Sequence, residues 1–195
     1  MTTYTVGYFV GSLAKNSINR KLAAALVRLA PPGLQMREIP IRDLPLYSYD
    51  YDQAYPPAGQ ELKDAIASVD AVLFVTPEYN RSIPGGLKNA IDWASRPKGT
   101  NSFSRKPSGM IGTSPGKIGT AVGQQHLRSI MAFCNSPLMN AIEAYIEFTP
   151  GLITDDGNVT VSSTEEFLRT YMKEFHGFIQ RVYTAIPRAT GRSRR

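Results

Sequence analysis

The chain has 195 residues, 42% of them hydrophobic and 19% charged, which fits one globular domain and excludes a fibrous or fully disordered protein. A single cysteine, Cys134, excludes an internal disulfide bond, and no apolar stretch approaches the roughly 20 residues needed to span a bilayer. We therefore expect a protein of a reducing compartment, the cytoplasm, with no membrane span.

Strand-like and helix-like segments alternate along the chain. Residues 71–75 form an unbroken apolar run, typical of a central parallel strand that is covered on both faces. Pro84 suits the first position of a helix, where its missing N–H has no effect. The predicted strands span residues 4–10, 34–39, 70–77, 106–112 and 141–148, and the predicted helices span 17–30, 57–68, 84–95, 120–135 and 163–186.

Five strands alternating with five helices predict an α/β fold, a doubly wound five-stranded parallel sheet with helices on both faces. A short first βα turn and a ligand-like third βα turn favour the flavodoxin-like strand order 2-1-3-4-5. Residues 40–57, rich in Pro, Tyr and Asp, predict a long loop, which is usually functional in a compact domain. This loop either covers a ligand pocket or forms an assembly surface.

The last eight residues, 188–195, contain four arginines and no acid, and without them the net charge of +6 falls to +2. We predict a disordered basic tail there, after a folded domain of residues 1–187. Such a tail could touch nucleic acid or anionic lipid. A solvated terminus is more common, and we expect no specific nucleic-acid partner.

The first βα turn runs from Gly11 to Asn19 and lacks the glycine patterns of dinucleotide and triphosphate sites. It offers hydroxyl and amide groups at a helix N-terminus, which attracts anions. Ser12, Lys15, Ser17 and Asn19 could surround one phosphate. The alternative is that Asn16 or Ser17 only caps the helix.

The second turn, 77–80, follows the strand expected beside the first one. Its backbone N–H and C=O groups could form hydrogen bonds with the polar edge of a flat heterocycle, and Tyr79 could pack on the ring. Gly85 and Gly86 would leave room for close approach at the helix start. The alternative is that these residues simply shape a turn.

The third turn, 113–119, is rich in small residues that would let backbone wrap one end of such a ring. Lys117, or N–H groups nearby, could stabilise negative charge on it. The alternative is a flexible loop.

His126 and His176 lie in predicted helices without neighbouring ligands, so we expect ordinary helix histidines and no metal site.

Two motifs carry a resemblance to a known family. Gly-Ser-Leu-x-Lys-x-Ser-x-Asn spans Gly11 to Asn19, and Pro-Glu-Tyr-Asn-x-Ser-x-Pro-Gly-x-Leu-Lys-Asn-Ala-Ile-Asp-Trp spans Pro77 to Trp93. With both, the chain resembles the NADPH-dependent FMN reductase family of flavodoxin-like proteins over nearly its whole length. It departs from that family at Ala14, where many relatives carry Arg, and in a less glycine-rich third turn.

The resemblance implies that the first turn binds the FMN phosphate, the second lines the isoalloxazine ring, and the third closes its remaining side. It implies no catalytic acid, base or nucleophile from the protein, because the chemistry resides on the flavin. The implied cofactor-binding residues are Gly11, Ser12, Lys15, Ser17, Asn19, Pro77, Glu78, Tyr79, Asn80, Ser114 and Gly116.

The resemblance further implies an oxidoreductase in which NADPH or NADH, the co-substrate, reduces bound FMN. Electrons then pass to a small-molecule acceptor such as a quinone, free flavin, chromate or an azo compound, with ping-pong kinetics. Family members are typically homodimers or homotetramers, so we expect one of these. The alternative is a non-enzymatic, flavodoxin-like electron carrier, which would need a strongly complementary docking surface.

Overall fold

The computed structural model describes residues 2–187, which form five strands and five α-helices around a single sheet. The strands are β1 (Tyr4–Val10), β2 (Leu34–Glu38), β3 (Ala71–Val75), β4 (Ser108–Ser114) and β5 (Tyr145–Glu147). The helices are α1 (Ile18–Leu29), α2 (Pro57–Ala67), α3 (Gly85–Ala94), α4 (Ala121–Phe133) and α5 (Ser162–Ala185), with a 3₁₀ helix at Tyr49–Gln53.

All strand pairs are parallel, and the order is β2-β1-β3-β4-β5. The predicted fold class and strand order are therefore confirmed. The predicted basic tail, 188–195, lies outside the described residues, and the domain boundary at 187 stays a prediction.

Two hydrophobic clusters sandwich the sheet. Val6 and Leu73 face the cluster with α1 and α5, whereas Phe9 and Phe74 face the cluster with α2, α3 and α4. The rings of Phe9 and Phe74 stack at a centroid distance of 5.1 Å. All five residues of β3 are fully buried, as a strand covered on both faces requires.

Among the element boundaries that differ from the sequence prediction, three stand out. Strand β4 continues to Ser114, so Thr113 and Ser114 belong to the strand and not to the third turn. Strand β5 has only three residues. The chain already pairs with the start of β4 before this strand, where the N–H of Met139 donates to the carbonyl oxygen of Ser108 at 2.9 Å. The residues between Met139 and Tyr145 do not continue that pairing as a strand. Pro84 is the N-cap of α3 and not its first residue. The apolar content of a sequence does not show at which residue an edge strand stops pairing with its neighbour.

The loop 40–57 is anchored to α3. Nδ2 of Asn89 and Nε1 of Trp93 both donate to the carbonyl oxygen of Pro45, at 2.9 and 2.7 Å. The N–H of Tyr47 donates to Oδ1 of the same Asn89 at 2.9 Å. The loop is thus pinned at its centre to one face of the helix.

Three loop tyrosines surround the Trp93 ring. The rings of Tyr47, Tyr51 and Tyr55 lie 5.2, 5.4 and 5.2 Å from it. Burial raises the pKa of Tyr47 and of Tyr55 to about 12, so both phenols stay protonated and donate hydrogen bonds. Tyr47 donates to Asp52 at 2.8 Å. These tyrosines are therefore packed on α3, and Tyr49, 78% exposed, faces solvent.

Cys134 is buried at the end of α4, and burial raises the pKa of its thiol. Within residues 2–187, no helix has both the length and the apolar character needed to cross a membrane. The same residues hold no cluster of three or more His, Cys, Asp or Glu side chains that could ligate a metal.

Candidate functional site

The carboxyl ends of β1, β3 and β4 bring the three sequence-predicted turns to one edge of the sheet. The N–H of Gly11 donates to the carbonyl oxygen of Val75 at 2.9 Å, and the N–H of Thr76 donates to that of Ile111 at 3.0 Å. A Cβ on Gly11 would lie 2.6 Å from Oγ1 of Thr76. Glycine therefore lets β1 and β3 end side by side, at the edge where ligands bind in open α/β sheets.

The first turn is rich in unused hydrogen-bond donors. Oγ of Ser12 accepts from the N–H of Ala14 at 3.4 Å, and Oγ of Ser17 accepts from that of Arg20 at 3.3 Å. Each hydroxyl still has its hydrogen to donate. Among the described residues, the N–H groups of residues 15–19 have no acceptor. Ser17 is thus an N-cap, as the alternative interpretation proposed, and its hydroxyl remains able to donate to an anion.

Asn19 joins the first turn to the third. Its Nδ2 donates to the carbonyl oxygen of Thr113 at 2.9 Å, and its Oδ1 accepts from the N–H of Thr113 at 3.1 Å. The side chain is buried with 1% of Asn19 exposed. Its amide therefore holds the first turn against β4, and the predicted phosphate contact of Asn19 stays a prediction.

The second turn is a two-residue hairpin. Tyr79 and Ser82 exchange backbone hydrogen bonds of 2.8 and 3.0 Å, and Asn80 and Arg81 between them have φ values of 51° and 63°. Two consecutive positive φ values are those of a type I′ turn, for which asparagine is well suited. The hairpin leaves the Tyr79 side chain half exposed and able to pack on a flat ligand.

Glu78 connects the second turn to α4. Its Oε2 accepts from the N–H of Gly123 at 2.9 Å, and its Oε1 lies 3.2 Å from Nη1 of Arg81. A carboxylate at a helix N-terminus is favourable for the helix dipole. The side chain of Glu78 is therefore structural. Its N–H, like that of Asn80, has no acceptor among the described residues and can face a ligand.

We expect Glu78→Gln to destabilise the folded protein by about 1 kcal/mol, because a charge-assisted hydrogen bond to the helix becomes a neutral one. The measurement is urea unfolding, with hydrogen exchange at the start of α4 as a local readout. Glu61→Gln, an exposed carboxyl on α2, is the matched control. Equal stability of both variants would contradict the capping role.

The third turn is shorter than predicted, because β4 takes its first two residues. Oγ of Ser114 accepts from the N–H of Gly116 at 3.1 Å. The N–H of Gly119 donates to the carbonyl oxygen of Gly116 at 2.8 Å, and this bond closes the turn. Lys117 is exposed, with no carboxylate partner among the described residues. Ser114 and Gly116 thus lie beside the other two turns, as predicted.

Three residues at this edge, His126, Arg42 and Ser82, were given no site role by the sequence prediction, which took His126 for an ordinary helix histidine. Nδ1 of His126, on α4, lies 3.1 Å from Oγ of Ser82, so this histidine belongs to the rim of the site. Nη2 of Arg42 donates to the carbonyl oxygen of Leu13 in the first turn at 2.6 Å. Ser82 stands within the second motif. The contacts of His126 and Arg42 cross 44 and 29 residues, and no local pattern signals them.

A family model described as NADPH-dependent FMN reductase matches residues 4–151. A 2-hydroxy-1,4-benzoquinone reductase of Burkholderia sp is 45% identical over 175 residues, 90% of this chain and 96% of that protein. A quinone reductase of Pseudomonas putida is 43% identical over 178 residues, 91% and 95% of the two. The solved structure of FerB, a flavoenzyme NAD(P)H:(acceptor) oxidoreductase from Paracoccus denitrificans, has a TM-score of 0.88 and 44% identity, covering 92% of this chain and 98% of that one.

Proposed function

The chain belongs to the NADPH-dependent FMN reductase family, and on this basis we propose that it is an FMN-dependent NAD(P)H oxidoreductase whose acceptors are quinones. The observation that carries the proposal is the meeting of three donor-rich turns at one sheet edge. The names of the relatives from Burkholderia and Pseudomonas putida support quinones as the acceptor class. Free flavin, chromate and azo compounds stay predictions from the sequence.

The first turn fits a phosphate group. Free N–H groups of residues 15–19 stand at the positive end of α1. Ser12 and Ser17 add hydroxyl donors, and Lys15 is exposed without an ion pair among the described residues. These are the donors that a phosphate monoester accepts from, and the turn offers no carboxylate to repel it.

The second and third turns fit a planar ring. Tyr79 offers an exposed aromatic face, and the N–H groups of Glu78 and Asn80 offer donors to a heterocycle edge. Pro77 begins this turn, and Ser114 and Gly116 border it on the far side. Bound FMN would supply the exchange of a hydride equivalent between nicotinamide and acceptor, while these residues orient the ring.

The test is spectroscopy followed by turnover. Protein purified without added flavin, then incubated with FMN, is expected to retain the yellow cofactor through gel filtration and to oxidise NADPH with 1,4-benzoquinone as sole acceptor. A protein that retains FMN but oxidises no NADPH or NADH would be an electron carrier. A protein that retains no FMN would contradict the proposal altogether.

We further propose that the chain self-associates through the face between α3 and α4. A groove of 350 Å³ lies there, lined by both helices, and Phe133 at its rim is 84% exposed. A protruding ring and a groove on one surface can each engage the other in a two-fold dimer. The cytoplasmic location that the sequence led us to expect is also a proposal.

Phe133→Glu is expected to lower the solution mass toward that of the monomer, because it replaces the exposed ring that the interface would bury by a carboxylate, whose desolvation is costly. Light scattering after gel filtration measures the mass. Val27→Glu, an exposed apolar residue on α1 across the sheet, is the control and should keep the wild-type mass. A Phe133→Glu protein of unchanged mass places the interface elsewhere.

A further inference from the structure

The first turn receives a positive charge from a distant part of the chain. Nη2 of Arg42 donates to the carbonyl oxygen of Leu13 at 2.6 Å. Arg42 is exposed and lies at the start of the loop 40–57. Leu13 directly precedes Ala14 and Lys15, so the loop sets a second cation, a guanidinium, beside the first turn.

The charge of Arg42 is not neutralised by the described residues. Asp43, next to it, makes no ion pair with it, and Arg20, the other nearby arginine, is paired with Glu38 at 3.0 Å. The contact with Leu13 uses one of the five N–H donors of the guanidinium. No other hydrogen bond of Arg42 to a described residue exists. The remaining donors are free for an anion.

The charge required at this turn is close to two. A phosphate monoester carries about −1.5 to −2 at neutral pH. Lys15, exposed in the turn, offers one positive charge, and the N-terminus of α1 offers a partial one, about one half. Lys15 and the helix together offer about +1.5, which falls short of a doubly ionised phosphate, and Arg42 raises the total above its charge. It is also the better partner geometrically, because a guanidinium presents a planar fork of donors to phosphate oxygens.

We propose that Arg42 supplies the second full positive charge, beside that of Lys15, for the phosphate of the bound flavin. The inference rests on the proposed function, since it takes FMN as the ligand. It makes the loop 40–57 part of the cofactor site through its first residues, while its tyrosines remain packed on α3. Arg42 then selects the phosphorylated flavin over riboflavin.

The experiment compares FMN with riboflavin, which differs by the phosphate alone. Flavin-depleted protein is titrated with each ligand, and quenching of flavin fluorescence gives both dissociation constants. Arg42→Gln is expected to weaken FMN about tenfold, as loss of one charge-assisted contact would. Riboflavin affinity should stay within about twofold. Arg42→Lys, which keeps the charge but not the planar fork of donors, should have an FMN affinity between those of Arg42→Gln and the wild type.

Arg37→Gln is the matched control. Arg37 is exposed on β2 and donates to Oγ of Ser68 at 3.1 Å, so this variant removes the same net charge away from the first turn. It should bind both ligands as the wild type does. Thermal unfolding of each variant checks that the fold is intact.

The outcomes separate the two proposals. Equal weakening of FMN and riboflavin by Arg42→Gln would mean that Arg42 only holds the loop, and this overturns the inference while leaving FMN binding in place. Unchanged affinity for both ligands overturns it too. A wild-type protein that binds neither flavin would instead defeat the proposed function.

Discussion

Replacing Asn19 by Ala is expected to lower the free energy of unfolding by about 2–4 kcal/mol, because it leaves two buried polar groups without a hydrogen-bond partner. The N–H and the carbonyl oxygen of Thr113 both bond to the Asn19 amide, at 3.1 and 2.9 Å. Thr113 is fully buried, so water cannot replace the lost partners. Urea unfolding measures the change.

The same variant distinguishes two roles for Asn19. Since its amide holds β4 against α1, we expect Asn19→Ala to weaken FMN and riboflavin alike, through displacement of the third turn. Asn16→Ala, an exposed amide in the same turn, should change neither stability nor affinity. Loss of FMN affinity alone, with stability unchanged, would show that the Asn19 side chain contacts the phosphate, as the sequence predicts.

Ser17→Ala is expected to weaken FMN binding about 10- to 100-fold and leave riboflavin binding unchanged. The hydroxyl hydrogen of Ser17 has no acceptor among the described residues and lies among the free N–H groups of residues 15–19. A hydrogen bond to a charged phosphate contributes about 1.5–3 kcal/mol. Loss of the N-cap should also lower stability by about 1 kcal/mol. Fluorescence titration and urea unfolding measure the two effects.

Ser17→Asp separates capping from phosphate binding. Aspartate is as good an N-cap as serine and suits the helix dipole, so stability should return to the wild-type value or above. Its negative charge repels a phosphate, so FMN affinity should fall further than in Ser17→Ala. Wild-type FMN affinity in Ser17→Asp would place the phosphate away from this helix.

The sequence predicts the sheet well because its central strands are chemically unambiguous. Residues 71–75 are apolar throughout, which is typical of a strand buried on both faces. The periodicity of α1 and its N-cap Ser17 likewise mark that helix within one residue. The strand order was predicted from the short first βα turn and the ligand-like third βα turn, which favour the order 2-1-3-4-5.

The contacts that join the turns could not be predicted. The bonds of Asn19 to Thr113 cross 94 residues, and that of Glu78 to Gly123 crosses 45. Each depends on how strands align in space, and neither leaves a local pattern in the sequence. These structural contacts of the two side chains were therefore not foreseen, and their predicted cofactor contacts stay predictions.

The hairpin closed by Tyr79 and Ser82 bears on the kinetics of ligand capture. Its two backbone bonds are satisfied within the chain, so a planar molecule meets a rigid platform and little conformational entropy is lost there on association. Encounter at this platform is then governed by diffusion and orientation, not by rearrangement of a loop. Differences in affinity among flavin analogues would accordingly arise mainly from their dissociation rates.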